Sequence, residues 1–266
     1  MKYSFMSFST PQLTLEENFS LARELGYDGL EPRAEEGHRH GIEPDLSAKD
    51  RDAVRLAAEA AGIPICCLAT SRGYSIPDTV EREIELTHTF IDLAADIGTD
   101  RLRVFGGGIA EGVSREEAIE NLAKALAAVA DHAGERDVTL CIETHDSWCD
   151  PAHVADALGR VDHSHIAVNW DVMHPPRVTG CSMDDAFTAL KPWIRHVHVH
   201  DGVGDKSKLE LKPMGEGEYD HARVIQLLKQ WGYDGYISGE WIGWEPYEVH
   251  LPRELAVLKA YELAER

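Results

Sequence analysis

Basic side chains are scarce in this sequence: 26 Lys and Arg stand against 47 Asp and Glu, a formal charge of −21. A surface of that sign repels polyphosphates and anionic bilayers at long range, so neither nucleic acid nor a membrane is expected as a partner. Long apolar runs are missing as well. Nowhere do 18 uncharged apolar residues follow one another, and Met1 to Pro11 carries one basic residue and no apolar stretch, so a cytoplasmic protein is expected. Cysteine is sparse and unpatterned: Cys66, Cys67, Cys141, Cys149 and Cys181 are odd in number and form no CxxC pair, which argues against a disulfide scaffold. No GxGxxG turn follows the first strand-like run, and Gly106-Gly107-Gly108 lacks the Gly-Lys-Ser/Thr of a phosphate-binding loop. The triglycine therefore reads as a barrel loop rather than an anion cradle.

What is present is an ordinary globular composition, 43% hydrophobic and 27% charged, with strand-like and helix-like segments in alternation. Strands are expected near Tyr3–Phe8, Gly29–Glu31, Pro64–Ala69, Arg101–Phe105, Val138–Glu143, His165–Asp171, His196–Asp201 and Tyr236–Glu240. Helical periodicity covers Leu15–Leu25, Ala48–Ala61, Val80–Ile97, Arg115–Ala133, Pro151–Leu158, Met183–Leu190, His221–Gln230 and Arg253–Ala264. Ser47 and Ser114 sit where helix N-caps belong, and Gly26 and Gly62 where helices stop. Length alone would allow two domains. With eight βα units and no linker rich in Pro, Gly or Ser, the expectation is an α/β protein, a (β/α)8 TIM barrel in one domain over residues 1–266.

A barrel builds its active site from the C-terminal ends of its strands. Four consecutive ends here carry metal-competent side chains: Glu143 on the fifth, Asp171 and His174 on the sixth, His198 and His200 on the seventh, Glu240 on the eighth. On the seventh strand, His196, His198 and His200 share one face by period-two alternation while Val197 and Val199 take the other. Three inward imidazoles beside three carboxylates need water, protons or a cation to satisfy them. Ligation rich in oxygen with one imidazole suits one divalent metal ion such as Mn²⁺, Mg²⁺ or Co²⁺, with Zn²⁺ also possible, better than a thiolate zinc site. Glu31 closes the second strand and is a candidate for hydrogen-bonding substrate or a neighbouring ligand, a salt bridge to Arg33 or Arg103 being the alternative. Trp241, with Trp170 and Trp244, is a candidate apolar wall for a sugar face, and the loop Gly37 to Gly41 a candidate cover.

Taken in order, Ile-Glu143-Thr, Asp171-x-x-His174, His196-x-His198, the Gly-Glu-Gly-Glu-Tyr-Asp run at Gly215 to Asp220 and Ser-Gly-Glu240 resemble the xylose-isomerase-like superfamily of metal-dependent sugar isomerases and epimerases. D-tagatose and D-psicose 3-epimerases are members of it, and endonuclease IV is a distant relative. The resemblance implies that Glu143, Asp171, His198 and Glu240 hold the metal, that Glu143 and Glu240 transfer protons from opposite faces, and that His174 contacts a substrate hydroxyl. His200 stands where many relatives carry lysine and is a further candidate substrate contact. The implied reaction removes a proton next to a carbonyl of a small carbohydrate-like ketose and returns one, giving isomerisation or epimerisation. An inosose-type dehydratase begins the same way and is the main rival. Endonuclease IV-like DNA repair and a non-catalytic binding barrel fit less well; homo-oligomerisation is left open.

Overall fold

The computed structural model describes residues 1–204 and 208–264, so the last two residues of the expected domain lie outside the described residues. Its strands are β1 (Lys2–Met6), β2 (Gly29–Glu31), β3 (Leu68–Gly73), β4 (Arg101–Phe105), β5 (Thr139–Glu143), β6 (Ile166–Asp171), β7 (Ile194–Val199), β8 (Asp201–Val203), β9 (Glu210–Lys212) and β10 (Tyr236–Gly239). Eight of them form one parallel sheet in the order β2-β1-β10-β7-β6-β5-β4-β3, and β8 and β9 form a separate antiparallel hairpin. The sheet curls until its outer strands meet through two single parallel bridges, Leu30 to Ile65 and Arg33 to Ala69. The result is the expected TIM barrel in one domain.

The helices are α1 (Leu15–Leu25), α2 (Ala48–Ala61), α3 (Val80–Ile97), α4 (Arg115–Glu135), α5 (Pro151–Val161), α6 (His174–Thr179), α7 (Met183–Leu190), α8 (His221–Trp231) and α9 (Tyr247–Leu263). Capping chemistry sets their ends where the sequence suggested. Ser47 and Ser114 accept the backbone N–H groups of Asp50 and Glu117, and Gly26 and Gly62 close α1 and α2 in the left-handed conformation that glycine adopts without a Cβ clash.

Strand alternation sorts the side chains into two layers. Leu102, Val104, Leu140, Ile142, Val168, Trp170, Val197, Val199 and Ile237 belong to the apolar core shared with the helices. The other parity, including Arg103, Glu143, Asn169, Asp171, His196, His198 and Ser238, is buried and polar inside the barrel. The third strand lies four residues later than expected. The apolar segment after Pro64 touches β2 by only one bridge, whereas Thr70 and Arg72 are held by the Arg103 carbonyl and by Glu35 and Glu83.

Two other boundaries move for tertiary reasons. The first strand ends at Met6, because Ser7–Ser9 turns so that the Ser7 hydroxyl accepts the Arg33 N–H at 2.8 Å. The last helix starts six residues before Arg253 and carries Pro252 inside it, since burial of His250 and Leu251 outweighs the one backbone hydrogen bond a proline forfeits.

Candidate metal centre

Four neighbouring strands, β5, β6, β7 and β10, deliver the expected residues to one point. Asp171 pairs in register with His198, and His198 with Ser238, two residues before Glu240. One donor atom each from Glu143, Asp171, His198 and Glu240 lies within 4.8 Å of the others, and all four residues are buried. Local structure aims each of them. Asp171 Oδ1 accepts the backbone N–H groups of Met173 and His174 at 3.0 and 3.2 Å, which starts α6 and leaves Oδ2 toward the barrel axis. The Asn169 amide donates to Glu143 Oε2 at 3.3 Å. Glu240 follows Gly239, where a Cβ would stand 2.0 Å from the Trp241 ring, so only glycine lets the strand close over that indole.

The electrostatics demand cations. Arg103, fully buried on β4, places Nε 3.0 Å from Glu143 Oε2 and Nη2 3.8 Å from Glu240 Oε1, and its Nη1 donates to the Thr70 carbonyl. Burial pushes the Glu143 carboxyl up, with Glu240 adding to the effect. Burial would raise Asp171 and Glu240 too, but His200 and His174 hold Asp171 well below the usual carboxylate range and His198 holds Glu240 down to about 2. Burial disfavours the charged form of His198 as well, yet Glu31 and Glu143 hold that imidazole well above its ordinary value.

Charge on this cluster therefore has to be balanced by protons on imidazoles or by a bound cation. The donor set fits a cation. Glu143 Oε1 and His198 Nδ1 are buried without a hydrogen-bond partner, while Asp171 Oδ2 faces the His200 ring at 2.9 Å. Buried orphan atoms of this kind cost free energy unless something occupies the space between them.

Above the cluster opens a cavity of about 320 Å³ lined by His145, His174, Arg177, His200, Leu209, Leu211, Glu240 and Ile242. The expected substrate contacts His174 and His200 are both there. His200 Nε2 approaches Asp171 Oδ2 at 2.9 Å, and the His174 ring packs edge-on against His200 and His145. Burial pulls His174 down to about 4, making it a neutral imidazole at neutral pH.

Two other candidates sit elsewhere. Glu31 is fully buried beneath the cluster with its carboxylate on His196 and His198, not on Arg33, Arg103 or the cavity. Trp241 is 1% exposed, packs against His250 beneath Gly239, and is not among the residues lining the cavity above the cluster. The histidine triplet of the seventh strand accordingly divides, two rings on Glu31 and one on Asp171. The loop from Gly37 to Gly41 is tied down, His38 and His40 both meeting the Ser7 hydroxyl. Gly106 earns its place by packing, since a Cβ there would stand 2.1 Å from Trp148.

Sequence reasoning passed over His145, whose Nδ1 lies 2.9 Å from Asp146 Oδ1, and the hairpin β8–β9 that brings Leu209 and Leu211 to the cavity. Arg103 had a readable signal. It stands mid-strand between Leu102 and Val104, which places a guanidinium inside the barrel, where its charge calls for buried carboxylates.

Comparison with known proteins agrees with the fold. A model of the xylose isomerase-like TIM barrel family matches residues 19–261. A 3-dehydroshikimate dehydratase of Bacillus anthracis is 22% identical over 279 residues, covering 97% of this chain and 96% of that one. The L-ribulose-5-phosphate 3-epimerase UlaE of Salmonella heidelberg is 27% identical over 257 residues, covering 93% and 86%. The solved D-psicose 3-epimerase of Clostridium cellulolyticum H10 shares the fold, with a TM-score of 0.79 at 16% identity over 98% of each chain.

Proposed function

This chain belongs to the xylose isomerase-like TIM barrel family, and on that premise we propose that it is a metal-dependent isomerase or epimerase of a small sugar-like ketose. The observation that carries the reading is the convergence of donor atoms from Glu143, Asp171, His198 and Glu240 within 4.8 Å, two of these residues, Glu143 and His198, also having a buried atom without a partner. These four residues would hold one divalent ion, of which Mn²⁺, Mg²⁺, Co²⁺ and Zn²⁺ are all compatible with the donors. When bound, such an ion polarises a carbonyl oxygen and offsets the negative charge that builds as the neighbouring carbon loses its proton.

The chain's own groups supply the rest. Glu143 and Glu240 stand on different strands with His198 between them, its Nδ1 3.6 and 3.4 Å from their carboxylates, so one can take a proton from a substrate carbon while the other delivers one. His174 and His200 line the cavity and can offer imidazole nitrogens to substrate hydroxyls, while Leu209, Leu211 and Ile242 form its apolar side. The names of the curated relatives, an epimerase of a ketose phosphate and a dehydratase, support proton removal next to a carbonyl as the shared step.

A dehydratase is the second reading, and one observation favours it. His145 lines the same cavity, and although burial opposes its charge, Asp146 and Glu143 raise it to about 9, a resident acid suited to protonating a leaving hydroxyl. One experiment separates the two. Incubation in D₂O with Mn²⁺ and a panel of ketoses, ketose phosphates and inososes, followed by NMR, should show deuterium entering at the carbon next to the carbonyl with the carbon skeleton and hydroxyl count unchanged. Loss of a hydroxyl would establish the dehydratase, and no exchange on any member of the panel would sink both.

A further inference from the structure

Glu31 is a buried carboxylate that the proposed reaction does not use. It closes β2, is fully buried, and has no Lys or Arg within salt-bridge distance among the described residues. Removing an ionised carboxylate from water costs several kcal/mol even after relaxation, so its partners must repay that. They lie across the barrel on β7, which β1 and β10 separate from β2 in the sheet. His196 Nε2 lies 2.8 Å from Glu31 Oε2, and His198 Nε2 straddles both oxygens at 3.0 and 3.2 Å.

A carboxylate that accepts from two imidazoles settles where their protons sit. Ionised Glu31 has no proton to give, so each of these Nε2 atoms must donate. For His198 the consequence is directional. With Nε2 committed, the remaining nitrogen, Nδ1, has no hydrogen-bond partner and lies 3.4 Å from Glu240 Oε2 and 3.6 Å from Glu143 Oε2, inside the cluster of candidate ligands. His196 keeps the carboxylate from turning, because its own Nε2 occupies Oε2 and its ring packs edge-on against His198 at 5.3 Å.

We infer that Glu31 is a positioning residue which, through paired hydrogen bonds to His196 and His198, fixes His198 with Nδ1 directed into the metal centre. The inference rests on the metal-centre reading above. Carboxylates behind a ligating imidazole orient the ring and strengthen it as a donor, and their loss weakens metal binding by about 10–100-fold. Glutamine cannot replace glutamate here, since it turns one oxygen into an NH₂ that faces an imidazole N–H and removes the charge.

The test compares wild type with Glu31→Gln by calorimetric titration of Mn²⁺ and Zn²⁺ into metal-free protein. The expected result is a dissociation constant raised about 10–100-fold in the variant, with turnover largely recovered at saturating metal. Equal affinities in the two proteins would overturn the inference while leaving the metal centre intact; a wild type that binds no divalent ion would overturn the metal centre itself. A second measurement needs no folded variant. In ¹⁵N-histidine-labelled wild type, with the His198 signals assigned from His198→Gln, His198 Nε2 should be protonated in both metal-free and Zn²⁺-loaded protein, at the low-field position of a hydrogen bond to carboxylate, whether or not Nδ1 is also protonated before metal binds. A His198 whose Nε2 is unprotonated in either form would refute the inference.

Discussion

Side chains of the same chemical type do different work here because their surroundings differ. Glu143 and Glu31 are both fully buried, yet one reaches Arg103 and the orphan nitrogen of His198 while the other is saturated by two imidazole donors. If Glu143 and Glu240 both ligate and transfer protons, Glu143→Gln and Glu240→Gln keep an oxygen for the metal and lose the titrating group. Each should then lower turnover by about 10²–10⁴ while metal is still bound. Asp171→Asn should instead lower metal affinity first, its Oδ1 being tied to two backbone N–H groups and its Oδ2 shared between the His200 ring and the ion. Steady-state kinetics beside metal titration of the three variants checks this; full recovery of either glutamine variant by excess metal would show that its carboxylate moves no proton.

At the scale of elements, the short hairpin β8–β9 shapes the cavity and hangs on one buried carboxylate. Asp201 accepts from Gly202 and Gly215 at 2.8 Å each and from Gly217 at 3.1 Å, and a Cβ on Gly217 would stand 2.1 Å from it. The Gly215 to Asp220 run is thus a backbone wrap around Asp201, closed by Asp220 as the N-cap of α8. Hydrogen bonds to a charged acceptor contribute about 1.5–3 kcal/mol apiece, so Asp201→Ala should loosen the hairpin without melting the barrel. Hydrogen exchange should speed up at residues 202–203 and 210–212 while β5, β6 and β7 stay protected, and KM should rise as Leu209 and Leu211 leave the cavity. Unchanged exchange in the hairpin would mean that contacts other than Asp201 hold it.

For the whole molecule, the buried site carries part of the burden of a chain with formal charge −21. A divalent ion at its centre offsets repulsion that the fold itself creates, and any ligand bound only by the folded state adds stability by mass action, about 2.7 kcal/mol at a hundredfold excess over Kd. In a chain of this size each kcal/mol moves the midpoint by roughly 2–4 °C. Metal-free protein should therefore melt several degrees lower than protein with saturating Mn²⁺, and chelator should reverse the gain. A melting temperature indifferent to Mn²⁺, Mg²⁺, Co²⁺ and Zn²⁺ alike would count against the site. Among the described residues no helix is long and apolar enough to cross a membrane.

The sequence by itself determined the alternation of eight strands with helices, the helix caps, and the four strand ends that meet, because each of these is written in local chemistry. Period-two alternation, capping serines and glycines, and the order of Glu143, Asp171, His198 and Glu240 need no knowledge of distant partners. Only the tertiary structure decided that Glu31 meets His196 and His198 rather than Arg33 or Arg103, that Trp241 lies under Gly239, that His200 turns to Asp171, and that a hairpin follows β7. Each of those outcomes depends on residues brought together across the barrel, Glu31 and His198 being 167 positions apart in the chain. Periodicity places a side chain inside the barrel, but which inward neighbour it meets is set by strand order and closure.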